Sequence, residues 1–348
     1  MDNIRRFRNV INNMCLQDEQ SIGEALRKKG FFSSSHIFPL SSLHFELTSK
    51  CNAYCRHCYN NSGGNNVDDN CMTSDDWIEF AKYLVKKGGV FECLISGGEP
   101  LLLGEKLFDI MDILHEDGTI FLLMSNGHLL NDDIAKRLAK YKYHWLQISI
   151  DGSTAAYHDW FRQANGSWQK SVNAAKNISD AGIPLKIAHC ITPYNIQDID
   201  DMCDLAYSLG ASSIRMGGIS LSGRTASHRD LLLSRQQKQI VWEKVNENSE
   251  RFYGRMRVNS VNKVSSGLIN HAKKPRSAAV IRPNGDIRID GMAPFIIGNI
   301  LHGDFEQIWE QKIDKCWEDE RVKTFISKFN SDDINEALIN YVTDDVLL

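Results

Sequence analysis

Residues 43–60 read LHFELTSKCNAYCRHCYN. LHFELTS (43–49) reads as a β-strand, and Cys51, Cys55 and Cys58 follow it at once in a C-x3-C-x2-C spacing. Three thiolates on one short loop can each bind a different iron of one [4Fe–4S] cube. Such cubes normally take four thiolates, so three leave one iron open, and an open position is what a catalytic metal needs. Two other readings stand at this point: a zinc knuckle completed by His57 or Cys71, and three unrelated buried thiols.

Beyond this loop, apolar patterning alternates between strands and helices. FECLIS (91–96), IFLLMS (120–125), WLQISI (145–150), PLKIAHCI (184–191) and SSIRMG (212–217) read as strands. Helical spacing and terminal glycines mark 75–89, 105–118, 132–141, 168–182 and 199–210 as helices. Six strands alternating with helices imply parallel βαβ units, and six fall short of the eight of a full barrel. The expected fold is therefore α/β, a partial (β/α)6 TIM-like barrel.

Composition narrows the class. The 348 residues are 42% hydrophobic and 24% charged, which is globular, and the formal net charge of -4 offers no basic field for nucleic acid. No run of 18 apolar residues occurs and no signal-like segment opens the chain, so no membrane association is expected and a cytoplasmic location is. The nine cysteines are then read as thiols. The segmentation is 1–40 as an N-terminal helical segment, 41–220 as the barrel core, and 221–276 as a basic connecting helical region. Residues 277–330 form a hairpin–helix extension and 331–348 an acidic tail.

GGEP (97–100) follows the second strand, SNG (125–127) closes the third, and SIDG (149–152) and YHDWFRQANGSW (157–168) follow the fourth, with ITPYN (191–195) after the fifth. Together with the cysteine loop, these motifs resemble the radical S-adenosylmethionine (SAM) superfamily, in its peptide- and protein-modifying branch. The resemblance implies one [4Fe–4S] cluster on Cys51, Cys55 and Cys58. It implies SAM as cosubstrate, cleaved to a 5′-deoxyadenosyl radical that abstracts a hydrogen atom from a substrate. Carried over by position, Gly97, Gly98 and Glu99 contact the SAM amino group. Ser149 and Asp151 lie near the ribose with Ser125 and Asn126 close by, Arg162 pairs with the SAM carboxylate, and His57 and Tyr59 flank the adenine. Flavodoxin or ferredoxin is the electron donor implied.

Residues 281–311, IRPNGDIRIDGMAPFIIGNILHGDFEQIWEQ, resemble the SPASM/Twitch extension of that branch, with Asn284-Gly285 as a hairpin turn followed by Gly298, Asn299 and Trp309. Relatives place auxiliary-cluster cysteines around this hairpin. Here Asp290 stands after its second strand and only Cys316 lies beyond, so the hairpin is expected without an auxiliary cluster. That favours redox-neutral chemistry on a peptide, such as epimerisation, although a crosslink stays open. An epimerase needs a thiol to return hydrogen. Cys190 is the first candidate, because Lys186, Ala188, Cys190 and Thr192 share one face of the fifth strand. Cys71, beside the cluster loop, is the second, and Arg215 is read as pointing inward too. Two further readings remain: a radical SAM enzyme acting on a small molecule such as a sugar nucleotide or cofactor precursor, and a non-enzymatic iron–sulfur or zinc protein.

Overall fold

The computed structural model describes residues 40–64, 71–87, 89–260, 264–328 and 345–348. The expected N-terminal helical segment and most of the acidic tail lie outside the described residues. Among the described residues, one mixed sheet of eleven strands runs in the order β11-β10-β9-β8-β1-β2-β3-β4-β5-β6-β7. Its parallel part comprises β1 (Leu40–Glu46), β2 (Val90–Ser96), β3 (Ile120–Ser125), β4 (Tyr143–Ser149), β5 (Leu185–Ile191), β6 (Ser213–Gly218), β7 (Arg257–Ser260) and β8 (Ala278–Ile281). Here β8 pairs with β1, and β1 through β6 each pair with the strand that follows. The two outer parallel strands, β7 and β8, are not paired with each other, so the barrel stays open.

Helices α1 (Ser74–Lys86), α2 (Glu105–Glu116), α3 (Asp132–Leu138), α4 (Ala155–Arg162), α5 (Ser167–Asp180), α6 (Ile199–Ser208) and α7 (Arg235–Arg251) fill the crossovers. Apart from α4, whose buried His158, Phe161 and Arg162 belong to the site, they cover one face of the sheet because the strands alternate. Leu43, Phe45, Ile95, Leu123, Leu146, Ile187 and Ile214 are fully buried in one core with Trp77, Phe108 and Ile178 of the helices. The intervening residues of β5 (Lys186, Ala188 and Cys190) are only half-buried and face the lumen. Local chemistry sets the helix ends: Thr73 and Asp76 form a reciprocal capping box on α1, and Asn131 caps α3.

Two features depart from the sequence expectation. Residues 257–260, inside the stretch read as polar and partly helical, add β7 to the free edge of β6. Only Val258 of its four residues is buried, so no alternating pattern announced it; the open edge of β6 supplies the pairing. The 278–299 segment does not stand apart either. The antiparallel β9 (Asp286–Arg288) and β10 (Phe295–Asn299) continue the main sheet through β8. The Asn284-Gly285 turn forms as read, with Gly285 at φ +86°. Helix α8 (Val264–Lys273) precedes this hairpin, and α9 (Phe305–Cys316) and α10 (Glu320–Ser327) follow it. Trp309 of α9 is fully buried, and a Cβ at Gly298 would lie 2.9 Å from Ile308, so glycine there lets α9 lie close.

Candidate active site

The cysteine loop leaves β1 and is held from three sides. From β2, Gly98 N donates to Thr48 O (2.6 Å) and Glu99 N to Lys50 O (2.9 Å). A Cβ at Gly98 would meet Lys50 O at 2.0 Å, so only glycine permits that approach. From the turn after β6, Arg224 Nε donates to Cys55 O (2.8 Å) and NH2 to Ser62 O (2.7 Å), while its guanidinium covers the Tyr54 ring at 3.8 Å. The Arg224 backbone N–H also reaches Cys58 O (3.0 Å). From the end of α4, Gln163 Nε2 donates to Tyr54 O (2.7 Å), and Arg56 N donates to Phe161 O (2.9 Å). Gly223 and Arg224 were missed in the sequence. Gly223 stands five residues past the end of β6, and no local pattern announced the pair.

Each of the three thiols is approached by an N–H. Ser62 N lies 3.3 Å from Cys58 Sγ, Asn126 Nδ2 lies 3.8 Å from Cys51 Sγ, and Arg162 NH1 lies 4.0 Å from Cys55 Sγ. Burial pushes Cys55 up to about 12 and raises Cys51. Both are protonated without a ligand, so metal uptake expels protons. Donors aimed at sulfur, on a loop of three cysteines with no fourth, suit a cluster with one open iron, whose potential they would tune.

Glu99 is fully buried and forms the second node. Its carboxylate accepts from Ser125 Oγ (2.9 Å), Asn126 N (2.8 Å) and Leu101 N (3.2 Å). Asn126 in turn donates to Asn52 Oδ1 (2.7 Å), tying the end of β3 to the cysteine loop. Burial raises Glu99 to about 7 against those three donors.

Asp151 and Arg162 form the third node, both buried. Arg162 donates twice to Asp151 Oδ2, from Nε at 2.8 Å and NH2 at 2.7 Å, while Oδ1 accepts Cys190 N at 2.9 Å. Asp151 N donates to His158 Nδ1 (3.1 Å) and Asn195 Nδ2 donates to Asp151 O (3.0 Å). Burial opposes its charge, yet Arg162 and the surrounding imidazoles hold Asp151 well below the usual carboxylate range. His57 stacks on Phe161 with ring centroids 4.0 Å apart, and its Nε2 is 3.6 Å from Asp151 Oδ2. Burial lowers His57 to about 4, only partly offset by Asp151, so it is neutral at physiological pH. Ligand atoms of His57, Asp151 and Cys190 all lie within 4.8 Å of one another.

The remaining sequence candidates are placed as follows. Ser149 is half-buried at the end of β4, beside Ala188. Tyr59 donates to Glu46 Oε1 (3.3 Å). Cys71 Sγ is 3.4 Å from Ser49 Oγ at the base of the cysteine loop. Burial pushes the Cys190 thiol up. In the hairpin region, Asp290 Oδ2 contacts His271 Nδ1 (2.5 Å) and its Oδ1 accepts Met292 N (2.6 Å). Cys316 is buried in α9 and donates to Ile313 O (3.1 Å).

Residues 45–206 match the Radical SAM superfamily. The chain is 31% identical to the mycofactocin maturase MftC of Mycobacterium ulcerans, over 77% of this chain and 74% of that protein. The chain belongs to the radical SAM superfamily. It is also 26% identical to the antilisterial bacteriocin subtilosin biosynthesis protein AlbA of Bacillus subtilis, over 87% of this chain and 68% of that one. Among solved structures, Streptococcus suis SuiB bound to S-adenosylmethionine shares the fold, with a TM-score of 0.66 at 15% identity over 93% of this chain and 85% of that chain. The family's cofactors, a [4Fe–4S] cluster and SAM, fit the donor set described above: three thiols on one loop, each met by an N–H. No helix among the described residues is long and apolar enough to cross a membrane.

Proposed function

We propose that this protein is a peptide maturase that abstracts a hydrogen atom from a ribosomally made peptide, with Cys190 returning hydrogen to the opposite face of the same carbon. Cys51, Cys55 and Cys58 hold the cluster. The bound cluster and SAM together supply the 5′-deoxyadenosyl radical that begins the reaction. Arg162 NH1, which Asp151 does not use, is the edge that takes the SAM carboxylate. Glu99, Gly97 and Gly98 receive the amino group, with Ser125 and Asn126 behind them. Ser149 and Asp151 face the ribose, and His57 and Tyr59 bound the adenine side.

One observation carries the epimerase reading: the Cys190 thiol stands on the lumen face of β5, within 4.8 Å of the His57 and Asp151 ligand atoms. Burial raises its pKa, so it keeps its hydrogen at neutral pH, and a hydrogen-atom donor must be S–H rather than thiolate. After donation the sulfur needs one electron and one proton to reset, for which flavodoxin or ferredoxin is the proposed source. Cys71, beside Ser49, is the reserve candidate. The relatives MftC and AlbA, a maturase and a bacteriocin biosynthesis protein by name, support a peptide substrate.

Turnover in heavy water tests this, with reduced enzyme, SAM and a candidate precursor peptide. One deuterium gained at a Cα, lost from the product of Cys190→Ala, is expected. A product lighter by two hydrogens would replace epimerisation with a crosslink or dehydrogenation.

A further inference from the structure

Below the reacting zone, the lumen carries three positive charges. Register places Lys186 beside Ser213 and Ser213 beside Arg257; one step higher, Ala188 lies beside Arg215 and Arg215 beside Asn259. Their neighbours Ile187, Ile214 and Val258 point into the helix-covered core, so Lys186, Arg215 and Arg257 share the lumen face. Among the described residues, no carboxylate lies within ion-pair distance of any of the three. The acids of the same face and rim are committed elsewhere. Glu92 meets His144 (2.5 Å), Asp151 meets Arg162, and Glu46 accepts from Tyr59 with Arg282 3.9 Å away.

We propose that Lys186, Arg215 and Arg257 form a lumen subsite for a carboxylate of the substrate, supplied by an acidic side chain or by the chain end of the peptide. The proposal rests on the peptide reading above, since carboxylates are the only anions an unmodified peptide brings. Lys186 is already positioned, its Nζ 4.0 Å from the centroid of Trp145. Burial and the two neighbouring guanidiniums lower it to about 8, a repulsion that an arriving anion relieves. Arg215 and Arg257 are exposed to the lumen and free to grip a carboxylate through two N–H groups.

Geometry also gives a spacing. Arg215 lies two residues below Gly217, the register partner of Cys190, and Lys186 lies four below Cys190 itself. At roughly 3.3 Å per residue these are drops of about 7 and about 13 Å. An extended peptide covers that in about two to four residues. The acid is therefore expected two to four positions from the modified residue.

Protection of Lys186 from an amine-acylating reagent at pH 8 tests the subsite, using the cluster- and SAM-loaded protein and peptide mass spectrometry normalised to exposed Lys82. The probes are acetyl-Ala-Glu-Ala-amide, its Gln counterpart, acetyl-tri-alanine with a free carboxylate, and pyrophosphate. At least fivefold protection by the Glu peptide assigns a side-chain carboxylate, and by the free-ended peptide alone, a chain end. Either supports the proposal, provided that Arg215→Gln, checked for intact cluster absorbance, loses the protection. Protection by pyrophosphate alone overturns it in favour of a phosphate-bearing small molecule. No protection, or equal protection by the Gln peptide, overturns it outright. Labelling needs no turnover, so failure of the subsite is read apart from failure of the maturase reading, which shows as an unchanged peptide mass.

Discussion

Arg162 gives two N–H groups to a single oxygen of Asp151, leaving the other oxygen to the backbone of Cys190 and one guanidinium nitrogen to face Cys55. One ion pair thus links the end of β4, the end of α4, the proposed hydrogen donor and a proposed cluster thiol. Removing one partner from a buried pair leaves an uncompensated charge, a loss of about 3–5 kcal/mol. Arg162→Ala is expected to lose about that much in urea unfolding and to weaken SAM binding at least tenfold, while iron remains. Asp151 titrates below its unfolded value, so its contribution is present at neutral pH and fades only as pH falls below about 4. A variant with wild-type stability and SAM affinity would remove the pair from both roles.

Glu99 yields a pH dependence. Burial raises it to about 7, so it is largely protonated at pH 6 and largely ionised at pH 8. A SAM amino group donating to this carboxylate favours the ionised form. Each pH unit below 7 then weakens binding, by about tenfold between pH 8 and pH 6 from this group. Equilibrium dialysis with labelled SAM checks this. Glu99→Gln should flatten the profile by that factor, and identical profiles in both proteins would put the amino group elsewhere.

Gly98 offers a steric test of the loop clamp. A methyl group there collides with the Lys50 carbonyl, and no flexible side chain is available to yield. Gly98→Ala is expected to displace the start of the cysteine loop and to cut iron incorporation severely. The control is Gly267→Ala, at an open position within α8, where removing a helical glycine stabilises by about 0.5–1 kcal/mol. Full iron in the Gly98 variant would contradict the clamp.

Much of this was legible in the chain because the strands obey a period of two. Leu43 and Phe45, or Ile187 and Ile191, announce a buried face, and the cysteine loop and GGEP fall at strand ends, where the fold gathers its ligands. What escaped lacked a local signal. β7 is polar apart from Val258 and forms because β6 offers an edge. Arg224 acts through backbone carbonyls more than 160 residues away, which no spacing rule encodes. Glu99 was read as a site residue, but two of its three protein donors, Ser125 Oγ and Asn126 N, depend on how β3 ends beside it.

Arg224 is therefore the sharpest test of the long-range bracing. Its Nε and NH2 satisfy the carbonyls of Cys55 and Ser62, on either side of Cys58, and its ring contact fixes Tyr54. Lysine carries the charge but cannot reach both carbonyls in one plane. Arg224→Lys is expected to lower the iron retained after anaerobic reconstitution and gel filtration by at least half and to speed cluster loss to a chelator several-fold. Secondary structure by circular dichroism should stay at the wild-type level, because the sheet core lies elsewhere. If the lysine variant held its iron as tightly as the parent, the cysteine loop would owe its shape to the Gly97–Gly98 clamp and the α4 end alone.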